Sequence, residues 1–189
     1  FASISDEPVA AASLAQVYKA TLAEDGSDVA VKVQRPKILE QVSKDLYVLR
    51  RAAEVYQRLM DRFAPQQKTN YVELLNEWAV GFYTELDFLS EVENQLSIRD
   101  VLVNRNDTAV DGIYVPYAVE RLCTSRVAVT EWIDGAKLST ATPATIKALT
   151  PIAQEAFLVQ LLESGTFHAD PHPGNLFLLD DGRLGLLDF

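Results

Sequence analysis

One short segment, residues 168–175, holds the side chains with the clearest chemical potential, and its sequence is His-Ala-Asp-Pro-His-Pro-Gly-Asn. The carboxylate of Asp170 can accept the proton of an attacking hydroxyl group or orient that hydroxyl. Asn175 lies five positions later, and Asp188 lies thirteen positions after Asn175. Both carry the hard oxygen atoms that magnesium prefers. These residue types at this spacing indicate phosphoryl transfer, with Asp170 as the catalytic residue and Asn175 and Asp188 as metal ligands.

The sequence on either side predicts that this segment is a loop between a helix and a hairpin. The prolines and the glycine within residues 171–174 are incompatible with a helix interior. A short helical piece is predicted to begin at Thr142–Pro143, and a longer helix to run from Thr150–Pro151 to Gly165, because proline in the first turn and glycine past the end are typical of helix boundaries. Residues 176–187 consist of two apolar runs around Asp-Asp-Gly-Arg, a pattern that predicts a tight hairpin.

The N-terminal part of the chain predicts an antiparallel hairpin that carries one unusual charge. Residues 10–20 and 29–34 have the composition and alternation of strands, and the polar residues 23–28 between them indicate a turn. Lys32 lies within the apolar run of the second strand, where a lysine needs an acidic partner. The alternative for such a lysine is a solvated position at the edge of the sheet.

Helical segments follow, and they offer that partner. Apolar residues at helical spacing predict a helix from Ile38 to about Arg62 and a second helical region from about Asn70 to Ile98. The second region carries Glu85, Asp87, Glu91 and Glu93, and one of these acidic residues could neutralise Lys32. Further strands are predicted at residues 113–119 and 126–132.

Composition excludes several classes of function. The chain has 189 residues and a formal net charge of -10, which argues against nonspecific binding to nucleic acid. An anionic nucleotide must therefore be bound by local donors. Cys123 is the only cysteine, so an internal disulfide is excluded and a reducing compartment is expected. The sequence contains no run of eighteen apolar residues. Because it begins at Phe1 and stops at Phe189, we expect a fragment whose targeting or anchoring segments lie elsewhere.

Four segments together resemble the UbiB-like atypical kinases, also called aarF-domain-containing kinases. They are Ala-Ala-Ala-Ser-Leu-Ala-Gln-Val-Tyr at residues 10–18, Val-Ala-Val-Lys at residues 29–32, Glu85-x-Asp87 followed by Glu91-x-x-Asn94, and the segment 168–175. The resemblance covers nearly the whole chain. It implies an α+β, bilobal protein-kinase-like fold, in which residues 1–133 form an antiparallel-sheet N-lobe with added helices and residues 134–189 form a truncated helical C-lobe.

The resemblance also implies a role for each site residue, with ATP and Mg²⁺ as cofactors. An alanine-rich loop would replace the usual glycine-rich loop over the phosphates, Lys32 would bind the α- and β-phosphates while paired with Glu91, and Asp170 would be the catalytic aspartate. Asn175 and Asp188 would hold magnesium. The remaining residues implied are Ala10, Ala11, Ala12 and Ser13 in the loop, Glu131, Trp132 and Ile133 in a hinge that offers backbone groups to adenine, and Glu85 and Asp87 in a feature that covers the site.

The biological setting is implied in the same way. The family is linked to coenzyme Q and other prenylquinone metabolism, and its members resemble ATPases or unorthodox kinases more than ordinary protein kinases. Partners would be the nucleotide and lipid- or quinone-biosynthesis proteins, with peripheral membrane association, in a plastid, a mitochondrion or a bacterium. Residues 129–135, Val-Thr-Glu-Trp-Ile-Asp-Gly, resemble plastid and cyanobacterial members and favour the plastid.

Several alternatives stay open at the level of sequence. A small-molecule kinase of the aminoglycoside or choline kinase type also carries a His-x-Asp-x4-Asn loop, and a nucleotide-binding scaffold could keep the site without transferring phosphate. His168, Asp170 and His172 could form a transition-metal cluster, although asparagine and aspartate downstream suit magnesium better. The small residues 10–13 could simply begin a strand, and Glu85 and Asp87 could lie on a solvated helix face.

Overall fold

The computed structural model describes residues 1–12, 14–64, 66–107, 109–164 and 174–187, apart from the side chains of Glu85 and Ser164. Its strands are β1 (Ser3–Ile4), β2 (Ala10–Ala11), β3 (Ala15–Thr21), β4 (Asp28–Gln34), β5 (Ile113–Tyr114), β6 (Val127–Glu131), β7 (Gly135–Lys137), β8 (Leu176–Leu179) and β9 (Leu184–Leu186). Its α-helices are α1 (Ile38–Phe63), α2 (Tyr71–Glu85), α3 (Phe88–Arg99) and α4 (Pro143–Val159), and π-helical turns at Asp100–Asn104 and Gln160–Ser164 extend α3 and α4.

The first sheet is antiparallel and has the strand order β1-β3-β4-β6, with β2 paired to β3. The predicted hairpin is confirmed, because β3 and β4 pair over their whole length from Ala15 opposite Gln34 to Thr21 opposite Asp28. Alternate residues of β4 face opposite sides of this sheet. Val29 and Val31 are buried with Val129 of β6 in a core on one side, so the alternate residues Ala30 and Lys32 face the other side.

Helix α3 packs on that second face of the first sheet. Phe88 and Val92 form a cluster with Ala15 and Ala128, and all four side chains are almost completely buried. Small alanine side chains in the sheet let the larger side chains of the helix approach closely. The helix that carries Glu91 is therefore held against the strand that carries Lys32.

The helical region predicted at residues 70–98 is two helices rather than one. The chain breaks at Leu86 and Asp87, and the carboxylate of Asp87 caps α3 by accepting a 3.1 Å hydrogen bond from the Leu89 amide. The side chain of Gln34 donates to the carbonyl of Leu86, and also to the carbonyl of Ser125 at 3.1 Å. Tertiary hydrogen bonds thus fix a bend that helical periodicity alone does not show.

Helices α1 and α2 form an antiparallel pair on the outside of the protein. The rings of Tyr56 and Tyr71 meet edge to face with centroids 4.9 Å apart, and the Gln57 side chain accepts from the Tyr71 amide at 2.9 Å. Helix α1, which the structure describes in full, buries none of its side chains. Within the described part of the chain, no helix combines the length and the apolar character needed to cross a membrane.

The second sheet has the strand order β5-β9-β8-β7, in which β5 runs parallel to β9 and the other pairs are antiparallel. The predicted hairpin at residues 176–187 is confirmed as β8 and β9. A core beneath this sheet joins the end of α3 and residues 101–115 to α4 and β8–β9. Residues 98–115 thus pack with the C-terminal part of the chain. The division into two lobes after residue 133 stays a prediction.

Helix α4 runs continuously through Pro151, where the sequence predicted two separate helical pieces. The Thr142 side chain caps its start by accepting from the Thr145 amide at 3.2 Å. Pro151 removes one amide donor from the helix interior. However, Leu149 and Ala156 on either side of it are buried at 6% and 0% exposure. Because Leu149 and Ala156 pack into the same core, their burial outweighs the destabilisation of the helix by the proline.

Candidate functional site

The centre of the site is the ion pair between Lys32 and Glu91, and this predicted pair is formed. The Lys32 Nζ atom lies 2.7 Å from the Glu91 Oε1 atom, and their side chains are only 22% and 17% exposed. The ring of Phe88 lies beside the ammonium group, with its centroid 5.1 Å from Nζ. Each charge offsets the desolvation of the other, so the pair holds a cation in a half-buried position facing the second side of the sheet.

Neighbouring residues on the same face form a small apolar surface that the sequence analysis did not single out. Val17 lies directly opposite Lys32, and Ala30 lies two positions before Lys32 and opposite Thr130. All three are half-buried. This surface spans the neighbouring strands β3, β4 and β6 on the face that carries Lys32. The period of two in β4 was the available signal, since it places Ala30 and Lys32 on one face.

The predicted hinge, residues 131–133, begins at the last residue of β6. Two of its backbone amides donate hydrogen bonds within the protein. The Glu131 amide donates to the Tyr117 carbonyl at 2.8 Å, and the Trp132 amide donates to the Asp28 carbonyl at 3.1 Å. Two amides of the hinge are thus engaged within the protein. The carbonyl of Glu131 and the backbone of Ile133 are left as the candidates for contacts with adenine.

The carboxylate of Glu131 has a partner of its own that the sequence did not indicate. The hydroxyl of Tyr114 donates to its Oε2 atom at 2.5 Å. The Tyr114 ring contacts two guanidinium groups, with its centroid 5.6 Å from Arg99 at the end of α3 and 4.3 Å from Arg183 between β8 and β9. Burial, reinforced by the hydrogen bond to Glu131, raises the pKa of Tyr114. One side chain therefore contacts α3, the hinge strand and the hairpin of the second sheet.

The alanine-rich segment, residues 10–13, begins with the edge strand β2, which pairs with β3. Ala10 and Ala11 are strand residues opposite Val17 and Gln16, and the Ala12 amide donates to the Ala15 carbonyl at 2.9 Å. Ala10 thus lies in the same cross-strand row as Lys32, two strands away, at a distance of about 10 Å. Ala10 and Ala11 thus lie in a strand at the edge of the sheet. Ser13 lies outside the described residues.

Asn175 lies at the start of β8, next to the end of β9. The carbonyl of Asn175 accepts from the Leu187 amide at 2.9 Å, one step beyond the pair Leu176–Leu186. The hairpin register thus puts Asn175 opposite the residue that precedes Asp188. A side-chain amide oxygen at this position is a suitable ligand for magnesium. Asp170 and Asp188 themselves lie outside the described residues, so their roles stay predictions.

The family resemblance implies that Glu85 and Asp87 cover the site, and the structure describes the side chain of Asp87 only. Asp87 caps α3, as described above, and so fixes the start of the helix that carries Glu91. The side chain of Glu85 lies outside the described part of the structure. Among the described residues, no three His, Cys, Asp or Glu side chains are grouped so that they could hold a metal ion, and the predicted magnesium set includes Asp188.

Comparison with known proteins gives a match over the whole chain. The family model described as "ABC1 atypical kinase-like domain" matches residues 1–189. The Arabidopsis thaliana protein "ACTIVITY OF BC1 COMPLEX KINASE 3, chloroplastic" is 39% identical over 100% of this chain and 26% of its own length. The "Probable protein kinase UbiB" of Shewanella pealeana is 32% identical over 94% of this chain and 32% of its own length.

Among solved structures, the "Crystal structure of Rad53 1-466 in complex with AMP-PNP" is similar over 99% of this chain and 38% of that chain, with a TM-score of 0.47 and 19% sequence identity. The chain spans only a quarter to a third of the length of the two relatives.

Proposed function

Since the chain belongs to the ABC1 atypical kinase-like family, which includes the UbiB and aarF proteins, we propose that it binds ATP with magnesium and catalyses phosphoryl transfer or ATP hydrolysis. The observation that carries the proposal is the half-buried pair of Lys32 and Glu91. A cation that is held beside an apolar surface and is only partly solvated can bind phosphate oxygens more strongly than a lysine in open solvent.

The nucleotide would lie along one face of the first sheet. Val17, Ala30 and Thr130 would contact the adenine ring, and the carbonyl of Glu131 and the backbone of Ile133 would recognise its edge. Lys32 would then contact the phosphates, with Glu91 keeping its ammonium group oriented. The alanine-rich segment 10–13 would cover the phosphates. The proposal is supported by the apolar surface and the cation lying side by side on this face.

The acids of the C-terminal part complete the proposed chemistry. Asp170 would orient the attacking hydroxyl or water and accept its proton as the new bond to phosphorus forms. Asn175 and Asp188 would hold magnesium, which neutralises charge on the phosphates when bound. Glu85 and Asp87 would shield the site.

The setting is also a proposal. We propose prenylquinone or lipid metabolism, with peripheral membrane association and with lipid- or quinone-biosynthesis proteins as partners, from the resemblance of the four motifs. The name of the A. thaliana relative describes that protein as chloroplastic, and this supports the plastid as the compartment.

A paired titration tests nucleotide binding. In the full-length protein, Lys32→Ala should weaken the affinity for Mg·ATP about 10- to 100-fold, as expected for the loss of a hydrogen bond to a charged group. The matched control is Lys44→Ala, because Lys44 lies on the outer helix α1 and forms an exposed ion pair with Glu40 at 2.6 Å. Equal affinities for the wild type and Lys32→Ala would contradict the proposal. A turnover assay on the same proteins separates an enzyme from a nucleotide-binding scaffold.

A further inference from the structure

Gln34, the last residue of β4, holds the start of helix α3 through its side-chain amide. The amide nitrogen donates to the carbonyl of Leu86, and also to the carbonyl of Ser125 at 3.1 Å. The backbone amide of Phe88, the first residue of α3, donates to the same Ser125 carbonyl at 3.2 Å. The end of β4, the turn before β6 and the start of α3 therefore meet around one side chain, which uses both of its N–H donors.

The far end of α3 is fixed to a different segment. Gln95 is only 4% exposed, and its side chain donates to the carbonyl of Pro116 at 2.7 Å. Arg99, one turn later, donates to the carbonyl of Val115. Because residues 115 and 116 are themselves buried, this end of the helix is anchored in the core. Loss of the hold at the start of α3 would therefore let the helix pivot about its far end.

Glu91 lies in the first turn of α3, close to the end that Gln34 holds. Gln34 follows Lys32 by two positions on β4, so both residues face the same side of the sheet. The hydrogen bonds of Gln34 thus fix the helix relative to the strand that carries the lysine, without using either charge of the pair. A half-buried ion pair is favourable only when its geometry is good, because both charges have lost water. The 2.7 Å contact between the Lys32 Nζ and Glu91 Oε1 atoms therefore depends on where the start of α3 is held.

We propose that Gln34 is a positioning residue: by holding the start of α3 against β4 and the turn before β6, it keeps Glu91 in contact with Lys32 and so orients the lysine ammonium group for phosphate. The orientation for phosphate rests on the proposed function. The hold on Glu91 does not, because it acts in the protein without nucleotide. When the hold is lost, Glu91 moves with the first turn of α3, and Lys32 is oriented less well.

The test compares Gln34→Met, Gln34→Asn and the control Gln41→Met in the full-length protein. Methionine has about the length of glutamine but no donor, whereas asparagine keeps the amide on a side chain that is one methylene shorter. Gln41 lies exposed on the outer helix α1. Each variant is studied first without nucleotide, so that the hold on Glu91 is measured separately from the binding of phosphate.

The first measurement is the rate at which N-hydroxysuccinimide acetate acetylates the Lys32 amine, read by mass spectrometry of the peptide that contains it. An opposite charge nearby favours the charged, unreactive form of a lysine. We expect labelling about three- to tenfold faster in Gln34→Met, an intermediate rate in Gln34→Asn and the wild-type rate in the control. Amide hydrogen exchange over residues 88–92 should be about tenfold faster in Gln34→Met. Unchanged labelling in this variant, with or without faster exchange, would overturn the positioning role.

The second measurement is kcat and KM for Mg·ATP. We expect Gln34→Met to raise KM about three- to tenfold and to change kcat less, because Lys32 would bind the phosphates before as well as during the reaction. Faster labelling with an unchanged KM would overturn the link to phosphate binding. If the wild type did not bind Mg·ATP, the proposed function would fail, while the labelling would still test the hold on Glu91. If Gln34→Met did not fold, Gln34→Asn would give the same comparisons.

Discussion

The hydroxyl of Tyr114 and the carboxylate of Glu131 are joined by a 2.5 Å hydrogen bond that connects the two sheets. Tyr114 lies in β5 of the second sheet, and Glu131 is the last residue of β6 in the first. The bond lies beside the predicted hinge, and the same tyrosine contacts Arg183 of the β8–β9 hairpin. This bond thus connects the sheet that carries Lys32 to the hairpin that begins after Asn175.

Removing the hydroxyl should loosen this connection. Tyr114→Phe keeps the ring beside the two guanidinium groups and leaves the Glu131 carboxylate with only the longer, 3.3 Å bond from the Tyr117 amide, so we expect a loss of about 1–2 kcal/mol in the free energy of unfolding. The measurement is the urea midpoint of the full-length protein. Tyr117→Phe is the control, because the Tyr117 side chain is 49% exposed. Equal losses in both variants would argue against a special role for Tyr114.

The same bond predicts how stability depends on alkaline pH. The pKa of Tyr114 is raised in the folded protein, first by burial and then by Glu131, so the folded state binds this proton more tightly than the unfolded chain. The stabilisation is fully present below the ordinary tyrosine pKa of about 10. It is lost as the pH rises through the higher pKa of the folded state. Between pH 8 and 11, the wild type should therefore lose more stability than Tyr114→Phe, as measured by urea midpoints; parallel pH profiles would contradict the assignment.

The Lys32–Glu91 pair should show energetic coupling. A double-mutant cycle with Lys32→Met and Glu91→Gln should give a coupling energy of about 1–3 kcal/mol, because either single change leaves a half-buried polar group without its opposite charge. Glu93→Gln serves as the control, since Glu93 is exposed on the same helix. A coupling energy near zero for Glu91, or an equal value for Glu93, would show that the pair does not organise the site.

The catalytic role of Asp170 can be separated from binding. Asp170→Asn keeps the shape of the side chain and removes its charge, so turnover should fall by ~10²-fold or more while the affinity for Mg·ATP changes little. Turnover is measured by ADP release in the full-length protein, and affinity by calorimetry. A parallel fall of both quantities would assign Asp170 a structural role instead.

Local sequence patterns predicted the elements whose pairing is local. The alternation in residues 29–34 gave the β3–β4 hairpin and placed Lys32 on a strand, and the four-motif resemblance gave its partner Glu91. The bend at Asp87 is also marked in the sequence, because an aspartate followed by the apolar residues Phe88 and Leu89 is typical of a helix start. At Pro151 the sequence predicted a helix boundary that is not present, because the burial of Leu149 and Ala156 keeps α4 continuous.

Contacts between distant segments had no such signal. The bond from Tyr114 to Glu131 depends on how two sheets meet, and both residues have ordinary neighbours in the sequence. The contact of Arg35 with Ala12 likewise joins residues 23 positions apart through the side-chain fork of an arginine. Periodicity reports which face a residue occupies but not which distant group will lie opposite it.

The parallel pairing of β5 with β9 has a consequence for how the protein is made. Ile113 pairs with Leu184, so this contact closes a segment of about seventy residues, whereas β8 and β9 are joined by a short turn. Contacts of such large sequence separation form slowly. During synthesis the first sheet can assemble as soon as Glu131 has emerged from the ribosome, while β5 must wait for β9. We therefore expect the first sheet, which carries the proposed nucleotide-binding face, to fold first, and the hairpin next to the predicted metal ligands to dock onto β5 only after β9 has been translated.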